Sequence, residues 1–151
     1  LRRFTSLGGH ARASIRAMDT AGHFTRPSGE ECRQLVRSHC VGRVAWLAAS
    51  GLQVLPVTYG CHDDRIFFRV NPASVMGELA DDVEVAFEVD DIDVDTATGW
   101  SVLVHGVAAD HDGSAQPVLP APWAPDHSGL TIVITPSTYS GRAVSAAVER
   151  N

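Results

Sequence analysis

Arg65-Ile66-Phe67-Phe68-Arg69-Val70 sets Ile66, Phe68 and Val70 against Arg65, Phe67 and Arg69, the two-residue period of a β-strand with one face turned to a core. Working outward from it, His62-Asp63-Asp64 is a turn, and Leu52 to Cys61 before it is rich in Val, Leu, Thr and Tyr. Further back, Val41 to Ala49 is an apolar run closed by Ser50-Gly51. Three consecutive strands joined by short hairpin turns follow from this pattern. On the other side, Asn71-Pro72 reads as a helix start, Asn at the N-cap and Pro at the first helical position, with Ala73, Met76, Leu79 and Ala80 on a buried face.

Upstream, Ser28 and Glu31 form a capping box, and Cys32, Leu35, Val36 and His39 share one helix face. Downstream, Val83 to Val89 is a fourth strand. The acidic stretch Asp90, Asp91, Asp93, Asp95 and the Thr98-Gly99 turn lead into a fifth, from Trp100 to about His111. A Gly-, Pro- and Ala-rich loop spans 113–129, Leu130 to Thr135 is a sixth strand, and a turn from Pro136 to Gly141 with a short tail ends the chain. The expected fold is mainly β: a six-stranded antiparallel split β-barrel with two short helices, since an open sheet of this composition leaves long apolar edges.

The chain has 151 residues, enough for one domain with a core of its own. Its twelve basic residues are all arginine, and the formal net charge is −6. With no basic cluster beside aromatic residues, nucleic acid is not an expected partner. No apolar run reaches the eighteen or so residues that span a bilayer, so no membrane association is expected. Cys32, Cys40 and Cys61 form neither a C-x-x-C pair nor an even set, which reads as reduced thiols in a cytoplasmic protein. The histidines are scattered singly and no metal site is expected. Asp91-Ile92-Asp93-Val94-Asp95 fails as a calcium loop, having Thr96 where the loop needs Gly and Val102 where it needs Glu.

Residues 1–27 read as a disordered arm outside the barrel, which then occupies 28–151. The first seventeen carry Arg2, Arg3, Arg12 and Arg16 with no acid, and Met18 offers an alternative start.

Two strings bear on chemistry. Asn71-Pro72-Ala73-Ser74, after a strand, offers backbone amides and a helix dipole to an anion, with Ser74 and Arg69 beside it; read structurally, it is a plain capped helix. Trp100-Ser101 sets a flat ring next to a hydroxyl, suited to an aromatic ligand with polar edges; read structurally, Trp100 is core.

The ordered series Val41–Ala45, Leu55–Tyr59, Arg65–Arg69, Val85–Asp90, Gly99–Gly106 and Pro136 to Arg142 resembles the pyridoxamine 5′-phosphate oxidase-like family of FMN-binding split barrels, in the branch with nitroimidazole-resistance-type proteins. The resemblance covers about Glu30 to Val144. It implies a homodimer with two FMN sites at the subunit interface, acting as a flavin-dependent oxidoreductase on a small-molecule substrate. It places the ring against Val54, Leu55, Pro56 and Val57, and the phosphate near Arg69, Val70, Asn71, Ser74 and Val75. Trp100 and Ser101 reach the flavin, often from the other subunit. No catalytic side chain is implied, because the cofactor carries the chemistry.

The chain departs from the family pattern at the phosphate end. Val70 stands where Thr is common, and Ala73-Ser74-Val75 where Gly-Ser-Lys is common. One charged hydrogen bond is worth roughly 1.5–3 kcal/mol. Two alternatives therefore stand beside the FMN enzyme: a non-catalytic flavin-binding or degenerate split-barrel sensor, and a reductase using a deazaflavin coenzyme.

Overall fold

The computed structural model describes residues 22–113, 119–120 and 129–146. Most of the expected arm, including Met18, lies outside them, as do most of the 113–129 loop and the chain end beyond Ala146.

The strands are β1 (His23–Thr25), β2 (Val41–Ala48), β3 (Gly51–Thr58), β4 (Gly60–His62), β5 (Arg65–Val70), β6 (Val83–Asp93), β7 (Thr98–Asp110) and β8 (Leu130–Ser145). They form one antiparallel sheet in the order β3-β2-β6-β7-β8-β5-β4, with β1 also on β8. The sheet curls until β3 comes within contact of β5 without pairing to it. The mainly β split-barrel class is thus as expected, with eight strands among the described residues rather than six.

The additional strands have local causes. Tyr59 interrupts the expected Leu52–Cys61 strand: its ring is buried and edge-on to Phe87, its hydroxyl donates to the Val36 carbonyl at 2.6 Å, and its amide donates to the Cys40 carbonyl. The three residues after it form β4 and turn back onto β5 through Asp63 and Asp64, both at positive φ (48° and 59°) as a tight hairpin requires. His23–Thr25, from the stretch read as arm, pairs with Ala143–Ser145.

The expected turn at Pro136–Gly141 is instead the middle of β8. A register shift between His105 and Gly106 lets Pro136 sit opposite Gly106 within the ladder. Ser137 fills the irregularity by donating from its hydroxyl to the His105 carbonyl at 3.1 Å.

Helix α1 (Gly29–Arg37) begins at the expected capping box, with the Ser28 hydroxyl accepting from the Glu31 amide and the Glu31 carboxylate accepting from the Ser28 amide. It buries Cys32 and Val36 over one end of the barrel. The core inside the curl comprises Val44, Trp46, Ile66, Phe68, Val70, Val85, Phe87, Val102, Val104, Ile132 and Ile134, the inward residues of the alternating strands.

The second helix differs from its reading. It is a 3₁₀ helix, Val75–Ala80, whose N-cap is Ser74 and not Asn71. Asn71 caps the preceding turn: its side-chain oxygen accepts from the Ala73 amide at 2.9 Å and its carbonyl accepts from the Ser74 amide. Gly77 permits this tight path, since a Cβ there would lie 2.3 Å from the Pro72 carbonyl oxygen. Leu79 is the side chain this helix buries fully, whereas Ala73 is exposed.

Candidate functional site

β3 is an edge strand, paired to β2 on one side only, so its other row of backbone N–H and C=O groups has no strand partner among the described residues. Pro56, which cannot donate, is at home on such an edge. Leu55 and Val57 turn toward the core, while Val54 and Pro56 face outward. This strand can offer backbone groups to the edge of a planar ligand and an apolar surface to its face.

Opposite Pro56 in the register is Arg43, whose guanidinium donates to Glu88 at 3.2 Å and to Asp90 at 2.5 Å. Burial pushes the Glu88 carboxyl up, and the neighbouring Asp90 charge adds to this against the opposing pull of Arg43. A charged cluster thus sits next to β3.

The end of β5 lies on the same side of the barrel, because β3 and β5 approach each other. Arg69 is exposed and makes no ion pair with a described residue, whereas Val70 points into the core. In the turn that follows, the amides of Ala73, Ser74, Met76 and Gly77 are all taken by local hydrogen bonds. The Ser74 hydroxyl is engaged as well, donating to the Asn71 carbonyl at 2.7 Å and accepting from Met76. Val75 is half-buried against the core. The amide and hydroxyl donors of Ala73 and Ser74, read as part of an anion cradle, are therefore engaged locally, and Arg69 is not.

Trp100 and Ser101 stand at the start of β7, far from Asn71. Trp100 pairs with Ala143, whereas Arg69 pairs with Thr131, whose carbonyl accepts from the His111 amide. Eleven residues of strand separate Trp100 from His111, a path of about 35 Å. From β3, Trp100 is three strands away across β2 and β6. One chain thus brings together the β3 and β5 groups and leaves Trp100-Ser101 apart.

His39 was not singled out for this region in the sequence, where it reads as one more residue on a helix face. The helix ends at Arg37, and His39 instead sets its ring edge-on to Trp100, centroids 4.7 Å apart at 74°. Its Nδ1 faces the Leu35 carbonyl at 2.9 Å and so carries the hydrogen, leaving Nε2 toward Asp91 at 3.9 Å.

The same fold recurs in known proteins. The family model described as pyridoxamine 5′-phosphate oxidase matches residues 28–143. The chain belongs to that family. An uncharacterized protein of Mycobacterium tuberculosis is 29% identical over 126 residues, covering 78% of this chain and 83% of its own. The structure of a FAD binding protein from Mycobacterium smegmatis is 26% identical, with a TM-score of 0.62 over 80% of this chain and 98% of its own. A FAD-binding protein from Mesorhizobium loti shares the fold at 20% identity, with a TM-score of 0.63 over 83% of this chain and 99% of that one. As a member of the pyridoxamine 5′-phosphate oxidase family, the chain keeps the barrel.

Among the described residues no helix is long and apolar enough to cross a membrane, and no group of His, Cys, Asp and Glu is placed to hold a metal ion.

Proposed function

We propose that this chain is a flavin-dependent oxidoreductase that works as a homodimer, with each flavin held between β3 and the β5 end of one subunit and Trp100-Ser101 of the other. One observation carries the reading: Trp100-Ser101 lies apart from β3 and the β5 end in a single chain, while the outer sheet face at β3 is an apolar surface uncovered by any described residue. Leu52, Leu47 and Val54 are 82, 71 and 65% exposed, and Leu52 pairs directly with Leu47 across the hairpin. Exposed apolar residues gathered in one patch mark an association surface, and a second copy supplies both a cover for it and the missing aromatic wall.

The flavin ring carries hydride or electrons to a small substrate, and the residues of the chain bind and orient it. Val54 and Pro56 face the ring, the open edge of β3 offers hydrogen bonds to its polar rim, and Trp100 excludes water from one side.

The occupied donors at Ser74, together with the absence of lysine, favour a second form of the same reading. In it the cofactor anchors through a longer tail elsewhere, as FAD or a deazaflavin coenzyme would, rather than through a terminal phosphate at Asn71–Val75. The FAD-binding relative from Mycobacterium smegmatis supports this form.

Titration of the purified chain with riboflavin, FMN and FAD, followed by quenching of flavin fluorescence, tests both forms. Binding of any of the three by a dimer supports the flavin reading. FMN no tighter than riboflavin, with FAD tighter than both, selects the longer tail. A colourless dimer that binds none of them, nor a deazaflavin coenzyme, indicates a degenerate binding or sensor barrel.

A further inference from the structure

A cleft of about 550 Å³ opens beside Trp100, between β1, the end of β8 and the β6–β7 hairpin. Its walls are Phe24, Ile92, Val94 and Val144, all left substantially exposed, and the face of the barrel at Trp100. Such a volume suits a small organic molecule.

The polar groups on this lining are few and unequal. Arg142, next to Ser101 in the register, is exposed and has no ion pair with any described residue. Asp93 is already committed: one carboxylate oxygen accepts from the Asp95 amide at 2.9 Å and the Thr96 amide at 3.2 Å, and these bonds hold its carboxyl below the usual range. The cleft thus presents an apolar body and a single unpaired guanidinium. A guanidinium fork matches a carboxylate in two parallel hydrogen bonds. A phosphate dianion, by contrast, would meet one cation, the carboxylate of Asp93 and a chain of net charge −6.

We propose that this cleft binds a small apolar monocarboxylate, its hydrocarbon body on Phe24, Ile92, Val94 and Val144 and its carboxylate on Arg142. Resting on the flavin reading, in which Trp100 borders the cofactor, it names the substrate class of that site as an apolar carboxylic acid. Ser101 lines the cleft beside Arg142 and is a second donor to the same carboxylate.

Calorimetric titration of the full chain with octanoate and with octanamide, of equal length but uncharged, tests the assignment without requiring activity. Octanoate should bind more tightly than octanamide, and Arg142→Gln should weaken octanoate about fivefold while leaving octanamide unchanged. Val94→Glu, at a position 85% exposed and so without consequence for folding, should weaken both ligands and octanoate the more. Equal binding of the two ligands, or none of either, overturns the proposal. A parallel FMN and FAD titration separates the two ideas. Flavin bound with no octanoate site removes the carboxylate proposal alone. An Arg142-dependent octanoate site in a chain that binds no flavin keeps the cleft and removes the flavin reading.

Discussion

The imidazole of His39 meets the indole of Trp100 edge to face, so a residue just past the end of α1 holds an aromatic ring at the start of β7. An aromatic contact of this kind is worth about 0.5–1.5 kcal/mol beyond the area it buries. In the flavin reading, Trp100 is a wall of the cofactor site and His39 sets its angle. His39→Ala should therefore weaken flavin binding about threefold to tenfold, and His39→Phe should restore most of it. Trp100→Ala should weaken riboflavin and FMN alike, since contact with the ring does not depend on the phosphate. Fluorescence quenching with both ligands reads all three variants.

Val75→Lys probes the phosphate end. Val75 opens the 3₁₀ helix and packs partly on the core, so a lysine there would lay its stem along the barrel and carry its ammonium out to solvent. If the FMN phosphate lies at this turn, the new charge should tighten FMN by on the order of 1.5 kcal/mol and leave riboflavin unchanged. Equal effects on the two ligands would mean that the phosphate is held elsewhere.

Leu52→Asp places a carboxylate in the middle of the exposed patch and opposite Leu47. Because Leu52 is mostly in solvent within one chain, the substitution should leave the subunit fold intact and separate the dimer. Light scattering should show a species of 16.1 kDa for the variant and twice that mass for the parent. Flavin binding should fall with the dimer.

Gly42 in β2 runs against the ring of Phe87, where a Cβ would lie 2.5 Å from the ring edge and 2.9 Å from the Glu88 carbonyl oxygen. Gly42→Ala must push either a fully buried ring or a paired strand. Overpacking of this kind costs typically 1–3 kcal/mol. The expected result is a fall in Tm of several degrees with an unchanged circular dichroism spectrum in the cold.

The three cysteines should differ in reactivity. Cys40 is exposed, Cys61 half-buried and Cys32 fully buried. Burial pushes the Cys61 thiol up to about 11. At pH 8 a thiol-disulfide reagent should label Cys40 first, with Cys61 and Cys32 lagging until the chain unfolds. The sign of the linkage follows from the raised value. The folded state favours the neutral thiol, so its contribution is complete below the unfolded-state value and is lost as pH rises toward and through about 11. Tm should fall over that alkaline range, and Cys61→Ala should flatten the fall.

What short stretches of sequence determined is what depends on near neighbours. The alternation in Arg65–Val70 made a strand, the Ser28–Glu31 reciprocal bonds started α1, and Asp63-Asp64 turned β4 onto β5, each a matter of a few residues. The ordered motifs from Val41 to Arg142 likewise carried the family and with it the barrel. Tertiary structure alone decided the rest. Pro136 and Gly141 have the composition of a turn, yet they lie inside β8, Pro136 at an irregularity opposite His105–Gly106, some thirty residues away, and Gly141 in register with Val102. His23–Thr25 is a strand only because Ala143–Ser145 is there to pair with it. Asn71 and Ser74 both suit an N-cap, and the close approach of Pro72 to Gly77 gave that place to Ser74. The position of Trp100 beside His39 and far from Asn71 has no local signature, since it depends on how far the sheet curls. Periodicity and caps act through bonds between residues a few places apart. Register, curl and the distance between the two halves of a site are set by contacts between residues far apart in the chain.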